Sequence, residues 1–340
     1  MKTKKTEFPV DIVLPWVDGS DPEWIQERLK YQPSENLRGA NEARYRDWGL
    51  LRYLFRGIEE NLPWIRNVFF VTWKHLPSWL DTSCPKLKIV EHKDYIPEKY
   101  LPTFSANPIE LNIHRIPGLS ECFIYFNDDT YPIRPLKRSY FFKENQPRDY
   151  ALQNARTIKY QNQFFIPLID DSVINEHFKK RQVIRRHWNK WFHPYYGIYN
   201  ILNFFFLGWS IFPGFLDGHV PIAYTKTQFK RVWKAEPELL DDTCKHRFRG
   251  LEDVNQWLIR YWRICQGDFS PQRYDSASAF YSFGTGEKHV LEKCLKALKT
   301  QAVPVICIND GEQLENFSKE RNAIERVFQK LFPEKSMFEK

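Results

Sequence analysis

Two adjacent carboxylates, Asp128 and Asp129, close a strongly β-prone run, Cys122-Phe-Ile-Tyr-Phe126, with Asn127 just before them. Neighbouring carboxylates at a strand end repel each other and are cheaply buried only beside a cation. Magnesium and manganese take oxygen ligands and bridge one or two carboxylates to substrate phosphates. The same triplet is also a common turn. A second acidic site, Asp18 and Asp21, lies in the loop Trp16 to Pro22, after the apolar run of residues 10–14. It suits a metal or nucleotide contact, or equally an Asx turn followed by a helix cap. Asn309-Asp310-Gly311 closes a last β-run, Val303 to Ile308, and delivers another acid at a strand end.

Basic candidates accompany the acids. Arg52 and Arg56 are four apart in a helical pattern, so they share a face. Guanidinium forks match phosphate oxygens and could clamp a diphosphate; pairing with Glu59 or Glu60 is the competing use. Glu110 and His114 are also four apart, with Arg115 adjacent, and a carboxylate can orient an imidazole and raise its basicity. His219 lies in Asp217-Gly-His-Val-Pro221, a turn made rigid by Gly and Pro. An imidazole there is a candidate general base for a sugar hydroxyl. Arg249, in Arg247-Phe-Arg249, could neutralise developing phosphate charge.

These residues need elements to hold them. Strands are expected over residues 10–14, 67–73, 88–91 and 122–126, and helices over 47–62 and 108–115. That alternation predicts an α/β half over residues 10–150. Its ligands belong at the carboxyl ends of the strands. A helix is expected over 251–265, and a C-terminal amphipathic helix from Ser318, the expected N-cap, to Phe332. The chain is expected to be one catalytic domain, 1–340. Residues 151–216 form an aromatic-rich, mostly helical insertion, 217–315 complete the core, and 316–340 carry the last helix. Pro194 to Leu216 holds no charged residue, but its Gly, Pro and Asn interruptions argue against a membrane span and leave an interfacial segment or ordinary core.

Composition narrows the function classes. Hydrophobic residues make up 42%, enough for a core, and 16% aromatics provide platforms for sugar rings as well as bulk. The net charge is +8 without a long Lys/Arg block or a nucleic-acid motif. Phosphate-bearing substrates or a membrane surface are therefore favoured over nucleic acid. Six scattered cysteines read as reduced thiols of a cytosolic protein, and no secretory signal is expected from the N-terminus.

Four blocks taken together resemble the Stealth family of bacterial capsule phosphotransferases, which is similar to the catalytic part of the animal lysosomal-enzyme GlcNAc-1-phosphotransferase. They are Asp11 to Asp21, Arg46 to Asp129, Gly218-His-Val-Pro221 and Cys307-Ile-Asn-Asp-Gly311. The first block departs from the family pattern at Leu14-Pro15, where Tyr-Thr or similar is expected, and keeps both acids. The resemblance implies a glycosyltransferase-A-like α/β core and transfer of sugar-1-phosphate from a nucleotide sugar, such as a UDP-sugar, to a glycan hydroxyl. It implies Mg2+ or Mn2+ held by Asp128 and Asp129, with Asp310, and a donor pocket lined by Asp18, Asp21 and Asn127. His219 would be the base, and Arg56, Arg115 and Arg249 would contact phosphate; Arg52 and His114 are the further candidates by spacing. The expected partners are the donor and a polysaccharide acceptor, at the inner face of the plasma membrane. The competing classes are an inverting glycosyltransferase that releases the nucleoside diphosphate, and a non-catalytic lectin-like or membrane-surface protein.

Overall fold

The computed structural model describes residues 8–32, 47–157, 165–274, 278–285, 288–311, 314 and 316–340. In chain order its strands are β1 (Val10–Pro15), β2 (Val68–Thr72), β3 (Leu87–Glu91), β4 (Cys122–Tyr125), β5 (Thr130–Pro132) and β6 (Phe142–Lys143). They continue with β7 (Gln146–Asp149), β8 (Ile222–Thr225), β9 (Ser270–Pro271), β10 (Ser278–Phe283) and β11 (Val305–Asp310). The main sheet has the order β3-β2-β1-β4-β8, with the first four strands parallel and β8 antiparallel at the edge. This is an α/β core of the kind expected from the sequence, a largely parallel sheet with helices on both faces.

The continuous apolar runs of β1 and β4 reflect burial on both faces, the habit of parallel strands. Side chains alternate between two cores. Val10, Ile12 and Leu14 of β1 and Cys122 and Ile124 of β4 face one cluster, closed by the helices Leu51–Asn61 and Phe317–Leu331. Val13, Phe123 and Tyr125 face the other, closed by Lys226–Ala235 and Gln256–Gln266. The buried Asp11 accepts hydrogen bonds from Arg66 and the Ser120 amide, tying the amino-terminal ends of β1 and β4 together.

Several boundaries differ from expectation for local reasons. The second helix begins at Leu51, because Asp47 Oδ1 accepts from the Gly49 amide at 2.6 Å and Gly49 takes φ +67°. The 108–115 region is a helix over Ala106–Leu111, capped by Ser105, then a separate 3-10 turn over Ile113–Arg115. The later helix starts at Gln256 rather than 251, because Asp253 Oδ2 holds the Gly250 amide in a loop and Asn255 caps the helix. The last helix begins at Phe317, so Ser318 falls inside its first turn. The cap position passes to Asn316, which makes no side-chain cap bond. The last strand runs over Val305–Asp310, two residues later than expected.

Within the expected 151–216 insertion, residues 165–216 carry short helices, Ile166–His177, Lys180–Arg186, Trp188–Trp191 and Asn200–Phe205, with 3-10 turns around the last, and residues 158–164 lie outside the described residues. Its inner aromatics, Trp191, Phe212 and Phe215, are fully buried and stack in series, with Phe215 lying on Tyr261. Among the described residues no helix is long and apolar enough to cross a membrane.

Candidate active site

The acidic pair leaves the carboxyl end of β4, and β5 follows at once. Because β5 pairs antiparallel with β11, the Ile308 amide reaches the Asp129 carbonyl at 2.9 Å. That register lays Cys307 and Asn309 against Asp129. The Cys307 thiol donates to Asp129 Oδ2 at 3.3 Å, and Asn309 Nδ2 donates to the same oxygen at 3.3 Å. Thr130 Oγ1 donates to the other oxygen at 3.0 Å.

The turn before the edge strand β8 brings His219 to the acidic pair. Tyr125 is level with Ile222, so the turn before β8 comes to the end of β4. His219 Nε2 lies 3.5 Å from Asp129 Oδ2 and 3.3 Å from Asn127 Nδ2, and its ring rests against Phe280 at 5.2 Å. The turn is anchored by Asp217, which accepts from Arg260, Arg156 and Tyr261, each at 2.7 Å. Arg260 is itself held by the buried Asp149. A side chain at Gly218 would press on the Tyr150 hydroxyl, so glycine lets the turn approach this network.

Charge shapes these groups. Burial pulls the His219 pKa down, but the hydrogen bond and charge of Asp129, with Glu110 and Asp128 behind it, raise it above its ordinary value. Burial pushes Asp129 up, but its contacts with His219, Cys307 and Thr130 hold it below the usual carboxylate range. Asp128 is raised to about 7, first by its recess among protein atoms and then by the charge of Asp129, with Asp47 adding to it. Its side chain nevertheless keeps solvent access. Burial drives the Cys307 thiol well up, so it stays protonated and serves Asp129 as a donor.

Glu110 completes this side of the cleft. It is buried, it accepts from the Tyr125 hydroxyl at 2.9 Å, and its other oxygen has no hydrogen-bond partner among the described residues. Desolvation raises its pKa, while the charges of Arg249 and His219 work against that rise. Arg249 and His219 thus converge electrostatically on one carboxylate. Arg247, two residues earlier, instead lies over Tyr31.

The first acidic loop lies beside this cleft at the end of β1. The Asp18 amide donates to His75 Nε2 at 2.8 Å, and His75 Nδ1 lies 3.1 Å from Asp21 Oδ2. An accepting Nε2 places the ring proton on Nδ1, and burial lowers the His75 pKa, keeping it neutral. Asp18 also makes the Asx turn to Ser20, and Asp21 caps the helix Pro22–Tyr31 through the Glu23 and Trp24 amides. Trp16 and Trp73 pack on His75.

Other candidates are placed elsewhere. Asp310 sits one register position beyond Asn309, so strand alternation turns it to the opposite face of β11. There its charge acts on Glu320. Arg56 makes a two-pronged pair with Glu339, both bonds 2.7 Å, and donates to the Phe332 carbonyl at 2.7 Å; Arg52 lies over Trp79. Arg56 is thus tied to the C-terminal segment, and Arg52 covers an indole instead of facing the acidic pair. His114 is buried against Phe229 and Trp233, and burial drives its pKa down to about 3. It has left Glu110 because the helix breaks at Asn112. Arg115 covers Trp233. Sequence reasoning missed Cys307 and Asn309 as partners of Asp129, and Asp47 as a third acid near Asp128. The Cys-Ile-Asn alternation of β11 was the available signal for the first two. A surface concavity of about 780 Å³ lies at the amino-terminal end of β4, lined by Glu121, Lys190, Arg231 and Asp268 among others, away from this cluster.

Because Arg56 and Glu339 are only 11% and 3% exposed, breaking the pair leaves a buried carboxylate unpaired. Arg56→Ala is expected to cost roughly 3 kcal/mol in denaturant unfolding, with an unchanged donor KM for the folded fraction.

Residues 8–35 match Stealth protein conserved region 1, and residues 44–150 match Stealth protein conserved region 2. The capsular polysaccharide phosphotransferase WcwK of Streptococcus pneumoniae is 41% identical over 336 residues, covering 97% of this chain and 99% of its own. The chain belongs to the Stealth family. It is an enzyme of the phosphotransferase type, as this likeness extends from end to end. The exopolysaccharide phosphotransferase cps2G of Lactiplantibacillus plantarum is 36% identical, covering 98% of this chain and 97% of its own. Among solved structures, the galactosyltransferase LgtC, in complex with donor and acceptor sugar analogues, aligns with 93% of this chain and 95% of its own, at 8% identity and a TM-score of 0.36.

Proposed function

We propose that this Stealth enzyme transfers sugar-1-phosphate from a UDP-sugar to a hydroxyl of a growing capsular or exopolysaccharide. The acceptor oxygen attacks the phosphorus that carries the sugar. Its proton passes to the His219 imidazole, the bond from that phosphorus to the bridging oxygen breaks, and UMP leaves. The observation that carries this reading is the contact of the His219 imidazole with Asp129 beside Asp128, with the charge of the exposed Arg249 felt at the neighbouring Glu110. Phosphoryl transfer asks of a protein positioning and charge neutralisation more than covalent chemistry. Arg249 supplies positive charge, and Asp18, Asp21 and Asn127 line the donor side.

Mg2+ or Mn2+ fits the residues present. Asp128 and Asp129 offer hard oxygen ligands, with Asp47 nearby, and the raised pKa of Asp128 reflects burial first and then the charge of Asp129, both of which a bound cation would offset. Asp129, His219 and Cys307 also lie close enough to hold an ion together, but a thiol that stays protonated is a poor ligand for the softer metals that set would select. The cation would stabilise charge on the transferring phosphoryl oxygens. With Asp128 near 7, a proton competes with the metal below neutrality. Mn2+ affinity measured by calorimetry should therefore rise by about tenfold per pH unit up to neutrality and level off above it. A flat profile would remove Asp128 from the ligand set.

The decisive test is product analysis with UDP-sugars, a divalent cation and short glycan acceptors. A phosphodiester phosphorus signal with UMP release supports the proposal, whereas UDP release with phosphorus-free glycan overturns it in favour of glycosyl transfer. The enzyme is further proposed to act as a peripheral protein at the inner face of the plasma membrane, a reading supported by its net charge of +8 and its uncharged, partly exposed 194–216 segment.

A further inference from the structure

The segment from Trp188 to Ile211 has two sides with different fates. Its inner aromatics are core, but Ile198 is 81% exposed, Phe205 73% and Ile201 65%, and Phe204, Trp209 and Ile211 are exposed as well. Ile201, Phe204 and Phe205 fall on one face of the Asn200–Phe205 helix, while Asn203 on the other face is buried in hydrogen bonds to the Ala151 and Trp191 carbonyls. The apolar side chains are continuous: Phe204 meets Phe192 at 4.6 Å, which stacks on Trp188 at 4.0 Å. A soluble surface rarely leaves so many large aliphatic and aromatic groups contiguous without an occupant.

Beside this patch runs a wholly cationic or neutral helix, Lys180–Arg186, with sequence KRQVIRR. Arg181, Arg185 and Arg186, with Lys179 just before them, are exposed. Both ends of the helix abut the patch. Lys180 Nζ donates to the Phe206 carbonyl and, at 3.2 Å, to the Trp209 carbonyl, and Trp188 follows the helix after one residue.

We infer that the 195–211 segment inserts into the interface of an anionic bilayer while the Lys180–Arg186 helix contacts lipid phosphates. This rests on the peripheral-membrane reading above and assigns it a surface and a lipid class. The chemistry favours lipid over a protein partner. The outward groups are Ile, Phe and Leu, with Trp and Tyr at the margins, the composition that settles at headgroup depth. A protein interface would carry a hydrogen-bonding rim around its apolar centre. Exposed cations beside an apolar insertion add affinity for negatively charged lipid.

The test is co-sedimentation of the full chain with vesicles of equimolar phosphatidylcholine and phosphatidylglycerol, against pure phosphatidylcholine. Wild type should bind the mixed vesicles more strongly, and less so as salt rises. Ile201→Asp with Phe205→Asp should weaken binding by about tenfold for each side chain, with unchanged melting and unchanged transfer to a short soluble acceptor. Arg181→Glu with Arg185→Glu should abolish the preference for the anionic vesicles. Mixed-vesicle binding by the Asp variant equal to wild type would overturn this surface and leave membrane attachment to another face. No vesicle binding by wild type would overturn both readings, and a dimer in solution lost in the Asp variant would then assign the patch to a second copy of the chain.

Discussion

His219→Ala should lower kcat by roughly 10²–10⁴-fold, the range for loss of a positioned general base, with the donor KM close to wild type. The imidazole sits between Asn127 and Asp129, and its turn is immobilised through Asp217 by Arg260, Arg156 and Tyr261. Such anchoring of a half-exposed ring suits a group that must meet an acceptor hydroxyl in one orientation. The pH dependence follows the same logic. A base works only when neutral, so the wild-type rate should fall as pH drops through the His219 pKa, and that acid limb should vanish in the alanine variant. The acidic neighbours raise that pKa, and a bound cation that neutralises them lowers it again. The discriminating measurement is Mn2+ affinity. Retained affinity in His219→Ala supports a base, whereas a loss greater than about tenfold would instead make the imidazole a ligand alongside Asp129 and Cys307.

The strands that place this site are legible because each is a short run buried on both faces, a local property of sequence. The paired acids and the Gly-His-Val-Pro turn are likewise visible, since strand ends and rigid turns are marked by residue type. The arginines were harder to place. Arg52, Arg56, Arg115 and Arg249 look alike along the chain, and what separates them is distant surroundings: Glu339 for Arg56, Trp79 for Arg52 and Trp233 for Arg115, while Arg249 stays exposed with its charge acting on Glu110. The acid of the last strand, Asp310, shows the sharpest sensitivity. Asp310 and Asn309 are adjacent, but the pairing of β11 with β5 turns Asn309 toward Asp129 and Asp310 away. A single step of register decides which side chain meets Asp129, and register here is set by a strand 175 positions earlier in the chain. The helix break at Asn112 similarly removed His114 from Glu110, although their spacing is helical.

Asp128→Asn should abolish most activity and yet make the metal-free protein more stable at neutral pH. The loss is expected to be about 10²–10³-fold in kcat at fixed Mn2+, since one charged oxygen ligand facing the phosphoryl group is removed. The stability gain follows from the pKa. The carboxyl titrates near 3.8 when unfolded and near 7 in the fold, so between these values the folded state holds the extra proton. Stability therefore falls as pH rises through that window, and at pH 8 the folded protein bears an ionised group that its surroundings disfavour. An amide removes the charge at little change in shape. Because Asp128 keeps contact with water, screening reduces the effect, and a rise in Tm of about 2 °C is expected for the metal-free variant. Saturating Mn2+ should reverse the order, stabilising wild type and leaving the variant nearly unmoved. Equal response of both proteins to the metal would mean that Asp128 does not hold the cation. A destabilised apo variant would mean that its carboxylate serves the fold rather than the chemistry.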